Sequence, residues 1–217
     1  MNEKMQLLLN FSTPIISDAL DILGINGGLE GITPLISGQR IVGEAFTLEF
    51  KEVKEGEMGP AAEFIDEVEK GKIIVISNHG RDFCTVWGGI LTYVAQQRGI
   101  AGCIIDGACR DIDEIKQANF PMFCRTTYMK SGKNRVYLSS KQQKIQIENT
   151  AIFPGDIICA DDSGVLCFPY NKIDEVLTIA QQIKDMEERI ILDLEQLIPL
   201  KEARIRHNYN KFSKRLS

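Results

Sequence analysis

The sequence predicts an α/β fold in a single domain with a long C-terminal helix. Short runs of β-branched residues alternate with helical patterns, the stretch 73–76 is apolar on both faces, and no linker rich in Pro, Gly or Ser divides the 217 residues. Strands that alternate with helices favour parallel pairing with right-handed crossovers. We therefore predict one domain over residues 1–200 and a basic tail over residues 201–217.

Helical spacing and capping residues locate the predicted helices. The first covers residues 12–24, begins with cap-type residues, and places Ile15, Ala19, Ile22 and Leu23 on one face before Gly24 ends it. The others are a charged stretch at 61–69, a helix at 87–98 closed by Gly99, a helix that opens at Arg110, and a long helix from 171 to about 197.

Short runs bounded by turn residues are the predicted strands. They cover residues 39–42, 45–50, 72–77, 101–106, 121–124, 145–147, 156–160 and 165–169. The last two flank Asp161-Asp162-Ser163-Gly164, which is typical of a hairpin turn.

Charge and composition exclude several classes of protein. The net charge is −5 with a pI near 5.2, so we expect no nucleic-acid partner and no attraction to anionic lipid. The basic tail is the exception: we expect it to be solvated or to contact another subunit, and an RNA contact is the alternative. No signal peptide or membrane span is recognisable, and the six cysteines form no C-x-x-C pair, which together predict a reduced, cytoplasmic protein.

A candidate site follows the strand at 101–106. Gly88 and Gly89 open a helix whose first amides, those of Gly89, Ile90 and Leu91, can bind a carboxylate or phosphate. Arg110 and Asp111 follow the strand's carboxyl end, where ligands bind in open α/β folds. Arg110 suits a carboxylate or keto oxygen, and Asp111 is a hard ligand for Mg²⁺ or Mn²⁺.

The residues alone leave alternatives open. Arg110 and Asp111 could simply cap the next helix, and the glycine pair could be a tight turn. His79 follows a strand and could line the pocket, whereas Asp161 and Asp162 fit a turn better than a metal site. Cys109 could have a lowered thiol pKa beside Arg110, although nothing supplies a base for a cysteine nucleophile.

Several ordered motifs at matching spacing resemble the family of 4-hydroxy-4-methyl-2-oxoglutarate aldolases. This family also includes the regulators of ribonuclease activity A, and its members are often mislabelled as dimethylmenaquinone methyltransferases. The motifs lie at residues 87–91 (WGGIL), 98–111 (RGIAGCIIDGACRD), 120–123 (FPMF) and 154–165 (PGDIICADDSGV). With residues 17–20 and 41–47, the resemblance covers roughly residues 12 to 190.

The resemblance implies a swivelling β/β/α fold, assembled as a homotrimer or hexamer with active sites between subunits. It implies that Arg110 holds pyruvate, that Asp111 binds the metal, and that the glycine loop from Gly88 to Leu91 binds the substrate carboxylate. It also implies that a glutamate from the C-terminal helix of a neighbouring subunit supports the metal waters. Glu187 matches that position best, and Glu188 is the alternative.

One position departs from the family pattern. Aldolases of the family usually have an acidic residue where this sequence has Gly89. Losing a partner that orients a metal-bound water typically costs about 10 to 100-fold in metal affinity or activity. We therefore expect a metal-dependent lyase that forms pyruvate from small 2-oxo acids, by retro-aldol cleavage, by oxaloacetate decarboxylation, or by both.

The alternative is a non-catalytic protein-binding regulator of the ribonuclease-regulator type. The loss of the acidic residue at Gly89 favours it, whereas the retention of Arg110, Asp111 and the glycine loop favours the enzyme. A methyltransferase fits poorly, because no glycine-rich nucleotide-binding turn follows the first strand.

Overall fold

The computed structural model describes residues 3–54 and 63–209. The α-helices of this range are α1 (Glu3–Leu8), α2 (Thr13–Ile22), α3 (Gly89–Arg98), α4 (Ile112–Gln117), α5 (Ile173–Glu195) and α6 (Leu200–Arg206). The strands are β1 (Thr33–Pro34), β2 (Ile41–Glu52), β3 (Ile73–Thr85), β4 (Gly102–Cys109), β5 (Met122–Thr127), β6 (Val136–Lys141), β7 (Ile145–Ile147), β8 (Thr150–Ile152), β9 (Ile157–Asp161) and β10 (Gly164–Phe168).

One sheet connects most of these strands, in the order β1-β5-β4-β3-β2-β9-β10, with β6 also paired to β2. The β2–β3, β3–β4 and β4–β5 pairs are parallel, as the alternation of strands and helices predicts. The first residues of β2 pair with β9, and the following ones pair with β3. Strand β2 therefore joins the parallel part of the sheet to the antiparallel part.

The core lies in layers on the two sides of the parallel strands. Ile74, Ile76 and Ile105 belong to one core cluster. Helices α3 and α4 cover this cluster and contribute Ala95 and Ile115 to it. The alternate residues of the same strands belong to a second core, shared with β7, β8, β9 and β10. Helices α1, α2 and α5 pack on the opposite face of β9 and β10 through a third cluster. This layering confirms the predicted α/β class with a long C-terminal helix.

Several predicted elements differ in detail from the observed ones. The predicted strands at 39–42 and 45–50 are one continuous strand, β2. Of the predicted charged helix at 61–69, residues 61 and 62 lie outside the described residues, and the remainder contains only a 3-10 turn, Ile65–Glu67. Phe64 and Val68, which flank this turn, are buried. Two buried apolar side chains form too narrow an apolar face to stabilise a longer helix by packing.

The C-terminal region contains two helices that pack on the body of the protein, α5 and α6. Helix α5 buries a stripe of apolar residues as its helical spacing predicts, and α6 places Ala203 against Met186 and Ile190. The first part of the predicted basic tail is thus a helix on the body of the protein. Lys211, Lys214 and Arg215 of that tail lie outside the described residues. No helix within 3–54 and 63–209 is long and apolar enough to cross a membrane.

Candidate active site

The ends of β3 and β4 bring the two predicted halves of the site together. The Val86 amide donates to the Ala108 carbonyl at 3.4 Å, and the Arg110 amide donates to the Trp87 carbonyl at 3.1 Å. These bonds carry the parallel pairing past the carboxyl end of β4. The start of α3 therefore lies directly beside Arg110 and Asp111.

Trp87 anchors the start of α3. Its side chain is buried and stacks on Phe120, with ring centroids 5.9 Å apart. Its Nε1–H donates to Thr92 Oγ1 at 2.9 Å, and the Thr92 hydroxyl donates to the Gly88 carbonyl at 3.1 Å. Every polar atom of this anchor is paired, so the first turn of α3 has a fixed position.

The Asp111 carboxylate lies at the N-terminus of α3. The Gly89 amide donates to Asp111 Oδ2 at 2.8 Å. A Cβ atom at Gly88 would lie 2.5 Å from the same oxygen, so only glycine at 88 leaves room for the carboxylate. Asp111 has a left-handed backbone, with φ of 58°, and is the residue from which α4 begins. Its carboxylate thus benefits from the dipole of α3.

Two further amides at this helix end have no partner. An α-helix leaves its first amides without intrahelical acceptors, and the Thr92 amide is the first here that reaches back, to the Gly88 carbonyl at 3.0 Å. Among the described residues, the Ile90 and Leu91 amides have no acceptor, and both residues line the cavity. They form a donor pair suited to a carboxylate.

Arg110 lines the same cavity as this donor pair. Its side chain is 41% exposed, and its Nε lies 3.6 Å from Asp111 Oδ2. Within the described parts of the chain, no other carboxylate pairs with its guanidinium. The remaining N–H groups can therefore bind a ligand, and the cation attracts anions because it keeps its charge at any relevant pH.

A cavity of about 480 Å³ joins these groups. Its lining residues are Phe50, Thr85, Val86, Trp87, Gly88, Gly89, Ile90, Leu91, Arg110, Asp111, Ser131, Gly132, Lys133 and Val136. A mainly apolar pocket with a few convergent polar groups is the usual form of a small-molecule site. The structure therefore brings together Arg110, Asp111 and Gly88 to Leu91, as the sequence predicts.

Glu187 lies apart from this cavity in the same chain. It lines a separate groove between α2 and α5, together with Asp18, Asp21 and Tyr209. Burial, and then the charge of Asp18, raise the pKa of the Glu187 carboxyl. Its predicted contribution to a neighbouring subunit's metal site stays a prediction.

Other candidate residues have structural partners. His79 Nε2 lies 3.3 Å from Glu49 Oε1, and His79 is not among the residues that line the cavity. Asp161 accepts hydrogen bonds from the Thr13 amide and hydroxyl at the start of α2. The suggestion of a lowered pKa at Cys109 is wrong, because its thiol donates to the Cys124 sulfur and is buried, both of which raise its pKa.

The donor set is compatible with only certain metal ions. Among the described residues that line the cavity, Asp111 is the one carboxylate, and no group of three His, Cys, Asp or Glu side chains in these residues could hold a metal. Structural zinc needs four such ligands, whereas Mg²⁺ takes one or two carboxylates and keeps several waters. The residues therefore fit a Mg²⁺ or Mn²⁺ ion held by Asp111, water and ligand oxygens.

Sequence reasoning missed part of the cavity. Phe50 lies 38 residues before the glycine pair, and Ser131 and Lys133 lie 20 and 22 residues after Asp111, all on segments without a recognisable motif. The role of Thr92 was also missed. A threonine in the first turn of a helix, a few residues after a buried tryptophan, could have indicated a hydrogen-bond partner for the indole N–H. The other residues carry no local signal, because only chain folding brings them to the site.

The sequence matches the family model for RraA-like proteins, described as Aldolase/RraA, over residues 13–167. The chain belongs to this family. Among curated relatives of this RraA-like chain, protein DlpA of Legionella pneumophila is 42% identical over 97% of the chain, which spans only 35% of DlpA. A Halalkalibacterium halodurans protein, 33% identical over 83% of this chain and 85% of its own length, carries 4-hydroxy-4-methyl-2-oxoglutarate aldolase as a provisional name.

Solved structures of the RraA-like family share the fold. A Pseudomonas syringae protein is 40% identical and superposes with a TM-score of 0.86 over 93% of this chain and 96% of its own. Streptomyces coelicolor RraAS2, described as an unusual member of the RNase ES inhibitor RraA family, is 25% identical, with a TM-score of 0.80 over 87% of this chain and 96% of its own. The family thus contains proteins named as aldolases and proteins named as ribonuclease inhibitors.

Proposed function

We propose that this protein is a divalent-metal-dependent carbon–carbon lyase that acts on small 2-oxo acids. Its reactions would be retro-aldol cleavage of 4-hydroxy-2-oxo acids to pyruvate, decarboxylation of oxaloacetate, or both, with Mg²⁺ or Mn²⁺ as the cofactor. One observation carries the proposal. A single cavity holds a carboxylate, a guanidinium and two unpaired helix amides side by side, at Asp111, Arg110 and Ile90–Leu91.

Each group has a distinct role in this proposal. The Ile90 and Leu91 amides bind the carboxylate of the 2-oxo acid, because they are fixed donors at the positive end of a helix. Arg110 neutralises the charge that develops on the keto oxygen as the carbon–carbon bond breaks. This charge exists only after cleavage begins, so the interaction lowers the barrier rather than only tightening substrate binding.

Asp111 would hold the metal, which when bound polarises the keto group as a Lewis acid. Asp111 is suited to this role because the Gly89 amide fixes one carboxylate oxygen, Oδ2, and the other stays available. The chain offers no carboxylate at Gly89 to orient a proton-accepting water. Retro-aldol cleavage needs such a base and decarboxylation does not, so we expect decarboxylation to be the faster reaction.

We further propose that the site is completed in a homotrimer or hexamer. Ile90 and Tyr93 are 83% and 64% exposed on the helix that borders the cavity. Large exposed apolar side chains on a helix that borders a binding cavity are typical of a surface that another subunit covers. In such an assembly Glu187 of the adjacent copy would support the metal waters. The six cysteines are buried and form no disulfide, which supports a reducing compartment such as the cytoplasm.

Pyruvate release from oxaloacetate tests the proposal, with the uncatalysed rate in the same Mg²⁺ buffer subtracted. We expect Asp111→Asn to abolish release, since asparagine tolerates the left-handed backbone and can still accept from the Gly89 amide. Asp113→Asn, an exposed acid two residues further on in the first turn of α4, is the matched control and should leave the rate unchanged. Equal activity of Asp111→Asn and wild type, or full activity in EDTA, would overturn the proposal.

A protein-binding regulator is the second candidate, which the likeness to RraAS2 supports. The segment after α5 and helix α6 carry apolar side chains suited to a partner, with Leu197 91% and Ile205 65% exposed. Thermal stability in Mg²⁺ with oxalate distinguishes the two. A functioning pocket gains about 2.7 kcal/mol at a ligand concentration 100 times the dissociation constant, whereas a regulator without a pocket gains nothing.

A further inference from the structure

We propose that the turn after α5 and the outer face of α6 bind the surface of an anionic lipid bilayer. These residues, 197–205, are named the C-terminal surface below. The contact goes beyond the proposed lyase activity and is independent of it, since neither Leu197 nor Ile205 lines the active-site cavity. It would bring the enzyme to a membrane as a peripheral protein.

Leu197 combines an exposed side chain with an unfavourable backbone conformation. Its side chain is 91% exposed, and its φ of 62° is left-handed. It follows Gln196, the C-cap of α5, at the position where helices usually have glycine, which adopts this conformation without strain. Leucine there costs stability through strain and gains little contact within its own chain. Such an outlier points to a contact outside the chain.

Helix α6 presents apolar and cationic side chains together on its outer face. Ala203 is the buried residue of α6 and packs against α5. Lys201 and Ile205 lie two positions from Ala203 on either side, so they are on the opposite face of the helix, because each residue turns by about 100°. Both are exposed, Ile205 to 65%, and Leu200 beside them is 44% exposed.

The charge of this part of the chain is opposite to that of the whole. The chain carries −5, yet residues 196–217 contain six Lys and Arg residues and a single acid, Glu202. Glu202 accepts from Arg206 at 2.6 Å, so its charge is compensated. Within the described range, Lys201 and Arg204 pair with no carboxylate. The C-terminal surface therefore attracts anions.

This combination favours a bilayer over other partners. Nucleic acid would use the cations but leave Leu197 and Ile205 in water. A second copy docked through the same surface would bring like charges together. A groove that binds a peptide helix holds its apolar side chains in a recess, whereas a side chain that is 91% exposed projects. A bilayer accepts projecting apolar groups at its acyl boundary and cations at its headgroups.

The apolar and the electrostatic contributions are of comparable size. Each Lys or Arg near an anionic surface strengthens partitioning by about fivefold, and one inserted leucine strengthens it by about tenfold. Stable anchoring generally takes two such signals. Binding should therefore require both the anionic lipid and the exposed apolar side chains, and it should weaken as salt screens the charges.

Co-sedimentation of the full chain with vesicles tests this inference. At low salt the wild type should sediment with vesicles of phosphatidylcholine and phosphatidylglycerol, and not with vesicles of phosphatidylcholine alone. Leu197→Gln should lower partitioning by about tenfold, and the double variant Lys201→Gln, Arg204→Gln by about 20 to 30-fold. Leu197→Gln should keep the melting temperature and the rate of pyruvate release of the wild type, because its side chain is exposed and outside the cavity.

Leu7→Gln is the matched control. Leu7 is 47% exposed on α1, which lies at the first turn of α5 through the Lys4–Asp174 ion pair of 2.7 Å, whereas Leu197 follows the last turn. This variant should bind vesicles as the wild type does.

Equal sedimentation with both kinds of vesicle, no sedimentation with anionic vesicles, or full binding by Leu197→Gln would overturn the inference. A wild type that ignores vesicles but binds RNA, or whose oligomeric state depends on Leu197 in light scattering, would assign the surface to that partner instead. None of these outcomes changes pyruvate release, so the lyase proposal is tested separately.

Discussion

The Gly89 amide and the Asp111 carboxylate are joined by a hydrogen bond of 2.8 Å that couples two helices. Through this bond Asp111 caps α3 with its side chain, while its own backbone begins α4. The orientation of the carboxylate is therefore set by both helices together. A substitution at the start of α3 should therefore change the orientation of the Asp111 carboxylate although Asp111 itself is not substituted.

Gly88→Ala should disable Asp111 while leaving the protein folded. Its Cβ atom would lie 2.5 Å from Asp111 Oδ2, so the carboxylate has to turn away. We expect a loss of about 10 to 100-fold in Mg²⁺-dependent pyruvate release, comparable to losing a group that orients a metal ligand. Gly89→Ala is the control, since its Cβ atom would meet neighbours only at 3.4 Å and beyond. Similar activities in the two variants would contradict this account.

Gly89→Asp should increase retro-aldol activity. A side chain at 89 has room, with the Glu114 and Asp111 Cβ atoms 3.4 and 3.5 Å from the new Cβ. The added carboxylate could orient a water beside Asp111, and we expect about a tenfold gain in cleavage of a 4-hydroxy-2-oxo acid. Oxaloacetate decarboxylation should change less because it needs no base. Gly89→Asn, which adds the same volume without the charge, should show no gain.

Thr92→Val should destabilise the protein and loosen the start of α3. The substitution leaves the buried Trp87 Nε1–H without an acceptor. An unpaired buried donor costs about 1–3 kcal/mol of unfolding free energy. Urea denaturation of Thr92→Val and Thr92→Ser measures this cost, and the serine variant should keep most of the stability because it retains the hydroxyl. No difference between the two would show that the hydroxyl does not hold Trp87.

Glu187→Gln should stabilise the protein at neutral pH. Burial and Asp18 raise the pKa of Glu187 above its ordinary value of 4.5, so the folded state binds its proton more readily than the unfolded chain. Stability is then lost as pH rises from the unfolded pKa through the higher folded one. Asp18, Asp21 and Tyr209 share the groove, and none of them supplies a cation.

The expected gain for Glu187→Gln at pH 7 is small, about 1–2 °C in melting temperature, because the groove is partly open to solvent. The gain should vanish near pH 4, where the wild-type carboxyl is protonated in the folded state. Glu188→Gln, at the exposed neighbouring position, is the control. A larger gain at pH 4 than at pH 7 would reverse the sign and contradict the raised pKa.

Local patterns in the sequence identify most of the fold. Runs such as 73–76, β-branched and apolar on both faces, are typical of buried strands. Gly99 ends α3 with a left-handed φ of 67°. Arg110 and Asp111 could also be located, because they directly follow such a strand. The helix predicted at 61–69 was less well founded, because helical spacing of charged residues does not stabilise a helix that has little apolar surface to bury.

The sequence by itself determined the class of fold, the Arg110–Asp111 pair and the glycine turn beside it, because strand periodicity, helix capping and steric freedom are properties of neighbouring residues. Only the tertiary structure decided that Lys133 and Phe50 line the same cavity as that pair and that Glu187 of the same chain does not. Those relationships depend on strand order and on the packing of helices far apart in sequence. They are fixed by burial of the shared core, which no local pattern encodes.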